Sequence, residues 1–145
     1  MKICVLIKQV PDKDATLTID STGLGIDTND LTFVTNESDN YALEEALLLK
    51  EAHGGEVVAC TLGIDSSLQV VKDALSKGAD RGIFLRDDVF NNLDILSLSK
   101  VFATALKDEK FDLIFSGLQS DDEGNGQLGL LIAEHLGTSH ASLVM

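Results

Sequence analysis

Along this chain, short unbroken apolar runs take turns with stretches whose apolar residues recur every three to four positions. The unbroken runs are KICVLIK (2–8), EVVACTL (56–62), RGIFLR (81–86), DLIFSG (112–117) and a terminal SLVM (142–145). Continuous rather than alternating apolar residues are what a parallel strand covered on both faces requires. The intervening stretches predict helices. From about Asp39 to His53, Leu43, Ala46 and Leu47 share a face opposite Glu44, Lys50 and Glu51, with Gly54 as the stop. SSLQVVKDALSKG, from Ser66, offers a Ser66/Gln69 capping box, a stripe of Leu68, Val71 and Leu75, and a Gly78 stop. Asp94 to Lys107 repeats the spacing with Ile95, Leu98, Phe102 and Ala105; Leu128, Leu131, Ile132 and Leu136 do so again before Gly137. Strands and helices in strict alternation predict an α/β fold with right-handed crossovers and a doubly wound parallel five-stranded sheet. One excursion breaks the rhythm. Between the first strand and first helix, ATLTIDSTGLGIDTNDLTFV alternates around a Gly-rich turn, which predicts a small hairpin insertion.

Composition narrows the function classes. The 145 residues suit a single domain spanning 1–145, and 44% hydrophobic with 24% charged residues marks a globular chain. A net charge of −13 argues against nucleic acid and against anionic lipid surfaces, since both bind through basic patches. Cys4 and Cys60 lie in apolar runs without metal spacing, so they read as buried reduced thiols. The N-terminal apolar run is too short for a signal peptide and no stretch reaches membrane-span length, which leads to the expectation of a cytoplasmic protein without direct membrane insertion.

In an open α/β sheet the ligand lies beyond the carboxyl ends of the strands, where strand order reverses. Four loops occupy that end: 8–13, NESDN (36–40), LGIDSS (62–67) and GLQSDDEGNGQLG (117–129). In the last, Gly117 allows a sharp turn, Gly124 and Gly126 permit close backbone approach, and the free N–H groups before Leu128 can hold an anion. No Lys-Ser/Thr follows the glycines, and GxGxxG does not follow the first strand, so neither a P-loop nor the usual NAD fingerprint is present. Asp121, Asp122 and Glu123 admit two readings, helix capping or ligand contact. Lys8 reads as a solvated strand-end lysine before it reads as a phosphate partner. His53, His135 and His140 lie at or beyond helix ends, and no nucleophile and base pair is found. Binding is better supported than catalysis.

Taken together, KICVLIKQVPD, NESDNYALEEALLLKE, EVVACTLG, ALSKGADRGIFL and DLIFSGLQSDDEGNGQLG resemble the N-terminal part of an electron transfer flavoprotein beta subunit, over almost the whole chain. The resemblance implies a Rossmann-like, three-layer αβα domain that buries a structural AMP. It also implies a heterodimer with an alpha subunit that supplies most of the site for a redox-active FAD. Such a complex carries electrons from acyl-CoA or other dehydrogenases to a membrane acceptor, and the beta subunit has no catalytic residues of its own. Position by position, the family's nucleotide contacts fall on Leu6, Asn36, Glu37, Ser38, Asp39 and Leu62. They continue through Gly117, Leu118, Gln119, Ser120, Asp121, Asp122, Glu123, Gly124, Asn125, Gly126, Gln127 and Leu128. Two departures stand out. Asn36, Glu37 and Ser38 replace the family's frequent Asn-Pro-aromatic, and SDDEGNG lacks the Asp-Gly-Asp-Thr run of bifurcating members, which favours AMP over a second FAD. Family members continue well past residue 145, so the chain is expected to be either a truncated portion or a stand-alone nucleotide-binding relative.

A second reading remains, a universal-stress-protein-like module binding ATP or AMP as a regulator. Its length fits. The glycines at 117, 124, 126 and 129 do not give the Gly-x2-Gly-x9-Gly-Ser/Thr spacing of such modules. A small NAD-dependent or hydrolytic enzyme would lack both its fingerprint and its catalytic pair.

Overall fold

Ile3, Cys4, Val5 and Leu6 are each no more than 3% exposed, so β1 (Lys2–Leu6) is covered on both faces, as its unbroken apolar run requires. A computed structural model describes residues 1–144, apart from the side chains of residues 91 and 92. After β1 come β2 (Gln9–Pro11), β3 (Phe33–Thr35), α1 (Glu37–His53), β4 (Glu56–Gly63), α2 (Leu68–Lys77), β5 (Arg81–Arg86), α3 (Ile95–Leu106), β6 (Leu113–Ser116) and α4 (Leu128–Leu136). The main sheet has four strands in the order β5-β4-β1-β6. All its pairings are parallel: β1 meets β4 from Lys2↔Glu56 to Leu6↔Cys60, and meets β6 from Ile3↔Leu113 to Leu6↔Ser116.

Alternation along β1 divides the core into two layers. Ile3, Val5 and Ile7 pack with Leu43 and Ala46 of α1 and Val70, Val71 and Ala74 of α2. Cys4 and Leu6 pack on the other side with Phe102 and Leu106 of α3 and Ile132 of α4. The result is the Rossmann-like αβα arrangement. Each fully buried Val, Leu or Ile contributes roughly 1.5–3 kcal/mol, so these two layers dominate the cohesion. Cys4 and Cys60 are free, and both are buried in strands β1 and β4.

Several local expectations change. The Ser66/Gln69 capping box does not form: Asp65–Ser67 is a 3-10 turn, Ser66 Oγ donates to Gln9 Oε1 and Gln69 Nε2 to Asp73. A partner 57 residues away outcompetes the local cap. The apolar stripe of α2 is rotated from the expected one, burying Val70, Val71 and Ala74 while Leu75 stays 41% exposed. The fifth strand expected over 142–145 is not formed over residues 142–144, and Met145 lies outside the described residues. Leu143 has φ +55, a left-handed conformation incompatible with a strand, and Leu143 and Val144 are exposed. The excursion after β1 is an arm. β2 and β3 pair antiparallel at its base, and a single Ile19↔Ile26 bridge closes its tip.

Candidate functional site

Strand order runs outward from β1 to β4 to β5 and then returns to β6 on the other side of β1. The reversal falls between β1 and β6, where a doubly wound sheet opens its crevice. One side chain joins the two strand ends there. The Asp39 carboxylate accepts the Lys8 N–H at 2.9 Å through Oδ2 and the Gly117 N–H at 2.9 Å through Oδ1. Asp39 lies in the first turn of α1, where the helix dipole favours a negative charge. Burial nevertheless pushes its pKa up to about 6, against the two backbone N–H donors that hold it down.

Asn36, the residue before α1 and 1% exposed, does not cap its own helix. Its side chain instead clamps the Gly-rich loop: Nδ2 donates to Gln119 O at 3.0 Å and to Ser38 Oγ at 2.9 Å, and Oδ1 accepts the Asp121 N–H at 3.0 Å. Ser38 Oγ donates to the same Gln119 carbonyl at 2.9 Å. The Glu37 N–H reaches Asp121 Oδ2 at 3.5 Å. The 36–39 and 117–121 segments therefore form one hydrogen-bonded unit, although about 80 residues separate them.

The acids of the loop have a partner that sequence reasoning passed over. Lys8 Nζ lies 2.7 Å from Asp122 Oδ1 and 3.2 Å from Glu123 Oε2, and donates to Ser120 Oγ at 3.4 Å. Asp122 Oδ1 also accepts the Glu123 N–H, Glu123 accepts from Asn125 Nδ2, and Gly124 N–H closes a turn onto Ser120 O. These acids are not in the first turn of α4, which starts at Leu128 and carries none. They organise the loop and neutralise Lys8. The signal in the sequence was the polar Lys8-Gln9 pair directly after an apolar strand. Gln9 works in the same way toward the third loop, donating to Ser66 O and accepting from Ser66 and Ser67.

The glycines divide by cause. Gly124 and Gly126 have φ +65 and +61, and a Cβ at Gly126 would meet nothing nearer than 3.7 Å, so they serve backbone conformation rather than close approach. Close approach belongs to Gly117, whose Cβ would overlap Asp39 and Ser38, and to Gly129, whose Cβ would come within 2.7 Å of Ser116 Oγ. Gly117 thus lets the first turn of α1 lie against the end of β6, and Gly129 lets α4 do so. Gln127 precedes α4 without a side-chain cap, so the N–H groups of its first turn remain free for an anion. Leu118 is exposed at the loop surface. Leu6 and Leu62 join the α3/α4 core layer below the loops rather than the hydrogen-bonded cluster. Among the described residues no group of His, Cys, Asp or Glu has metal-binding geometry, and no helix is long and apolar enough to cross a membrane.

The Asp39 pKa has a measurable consequence. Its folded value of about 6 lies above the ordinary 3.8, so its contribution to stability is fully present below about pH 4 and is lost as pH rises through 6. Wild type should lose on the order of 2–3 kcal/mol across that window relative to Asp39→Asn. Urea titrations at several pH values read the difference, and parallel curves for the two proteins would refute it.

A family model described as "Electron transfer flavoprotein domain" matches residues 23–145. The chain is 36% identical over 144 residues to "Electron transfer flavoprotein subunit beta" of Clostridium acetobutylicum, covering 99% of this chain and 55% of that protein. It is 32% identical over 146 residues to the protein of the same name in Methylophilus methylotrophus, with 99% and 55% covered. "Protein FixA" of Azorhizobium caulinodans is 38% identical over 142 residues, with 94% and 50% covered. The chain spans about half the length of these curated relatives. A parallel sheet whose switch point is bridged from α1, and a family match across most of its length, together establish that the chain belongs to the electron transfer flavoprotein domain family, with subunit beta among its relatives.

Proposed function

We propose that the chain forms the nucleotide-binding part of an electron transfer flavoprotein beta subunit. In this reading it holds AMP as a structural ligand and pairs with an FAD-bearing alpha subunit. The complex carries electrons from acyl-CoA or other dehydrogenases to a membrane acceptor, in the cytoplasm. The observation that carries it is the loop cradle at the switch point: Asn36 and Asp39 hold the 117–127 loop so that α4 presents uncapped N–H groups. That donor set suits one phosphate held by backbone amides. Lys8 is already paired with two carboxylates, which leaves little positive charge for a second or third phosphate. The chain's own residues would thus bind and orient the nucleotide, while redox chemistry would belong to the flavin.

Mass spectrometry of nucleotide released on denaturing the purified protein, with and without a co-expressed alpha subunit, tests the reading. AMP should be released, and calorimetry should show AMP bound at least roughly tenfold more tightly than ATP. Equal or tighter ATP binding with no AMP released would favour the regulatory module instead. Asp122→Asn should leave AMP affinity unchanged or weaken it, because Asp122 orders the loop through Lys8 and the Glu123 N–H. Tighter binding by that variant would place the phosphate elsewhere.

A further inference from the structure

The arm between β2 and β3 has no role in the nucleotide cradle. Its tip is a ribbon held by Asp20 N–H to Gly25 O at 3.0 Å and Asp27 N–H to Thr18 O at 2.9 Å. Ile19 and Ile26 are directly opposed, so their side chains share one face, and Leu17, two residues before Ile19, is also exposed. Ile19 is 77% exposed and Leu24, in the turn, 95%. An arm that buries neither against its own domain presents apolar surface outward.

Charge decides what can cover it. Asp12, Asp14, Asp20, Asp27 and Asp30 flank the apolar residues, against Lys13 alone. Among the described residues no ion pair engages any of them. A second copy would bring the same acidic arm and a like net charge of −13, and an anionic lipid surface would be repelled as well. The complementary occupant is a protein surface with an apolar groove flanked by lysine and arginine side chains. Side chains this exposed in a free protein invite nonspecific association, which favours a resident partner over a transient one. Resting on the subunit reading above, we infer that the 12–32 arm docks into such a basic-rimmed apolar groove on the partner alpha subunit.

The test uses the full-length protein and its alpha subunit, with binding measured at about 50 and about 300 mM salt. Ile19→Ser with Leu24→Ser should weaken the complex by roughly tenfold or more at an unchanged melting temperature. Asp14→Asn with Asp30→Asn, neither of whose side chains accepts an internal hydrogen bond among the described contacts, should slow association severalfold at low salt and flatten its salt dependence. Wild-type binding with an unimpaired serine pair overturns the arm's role and leaves the subunit reading intact. A wild-type protein that binds no alpha subunit overturns both. Should the serine pair lower the melting temperature, the asparagine pair decides, and an unaltered association rate for it overturns the inference.

Discussion

Gly117→Ala is expected to remove about 2–3 kcal/mol of stability and most of the affinity for AMP. The position has no positive φ, so backbone strain is not the cause. An added Cβ would overlap Asp39 Oδ1 and Ser38 Oγ and lie 2.8 Å from the Asp39 nitrogen. None of these can swing away cheaply. Asp39 is 7% exposed and held by the Lys8 N–H, and Ser38 Oγ is committed to Gln119 O. The methyl group therefore pushes α1 and the end of β6 apart, breaking the Gly117 N–H bond to Asp39 and tilting the loop that follows. Gly124→Ala is the control, since its Cβ meets nothing within 4 Å and only its left-handed conformation is taxed, by about 1 kcal/mol. Urea unfolding and AMP calorimetry on both variants would show Gly117→Ala clearly worse. Equal stability and binding in the two would mean that the close packing of β6 on α1 is unimportant.

Asn36→Ala should be nearly as damaging, at about 2–4 kcal/mol. The side chain makes three bonds at 1% exposure, and its loss strands the Asp121 N–H and leaves Gln119 O with one donor, Ser38. Ser38→Ala removes the other donor to that carbonyl and should cost about 1 kcal/mol. Asn36→Asp separates the two functions of the amide: it keeps an acceptor for Asp121 N–H but sets a carboxylate against the Gln119 carbonyl. It should fall between wild type and Asn36→Ala. Hydrogen exchange of the Asp121 amide reads the clamp directly, with faster exchange expected in Asn36→Ala. Unchanged exchange there would refute the clamp.

What could be read from the sequence was whatever depends on neighbours in the chain. The β5 limits agree residue for residue with RGIFLR, and α1 buries Leu43 and Ala46 as its periodicity requires. The gathering of the 8–13, 36–40, 62–67 and 117–129 loops at one end of the sheet followed from the strand order. Roles decided by distant partners were hidden. Lys8 looks like any strand-end lysine until Asp122, 114 residues away, is folded against it. Asp39 looks like a helix-dipole residue until Lys8 and Gly117 arrive at 31 and 78 residues' separation. Ser66 and Gln69 have the spacing of a capping box, and Gln9 diverts the first of them. The apolar run at 142–145 carries strand propensity, but propensity alone does not choose a pairing partner.

The position of β1 bears on how the chain folds as it leaves the ribosome. The central strand is made first, its β4 partner is complete at Gly63, and the β6 partner begins only at Leu113. At about 5–20 residues per second, the interval between those partners lasts roughly 3–10 s. For that time Ile3, Cys4, Val5 and Leu6 present one unpaired edge, a template for wrong pairing with another nascent chain. Asp39 is already synthesised by then, with one acceptor oxygen filled by Lys8 and the other awaiting Gly117. Completion of the sheet and closure of the 117–121 clamp are thus the same late event, so any ligand that the clamped loop holds would act during synthesis as a folding aid for the strand made first.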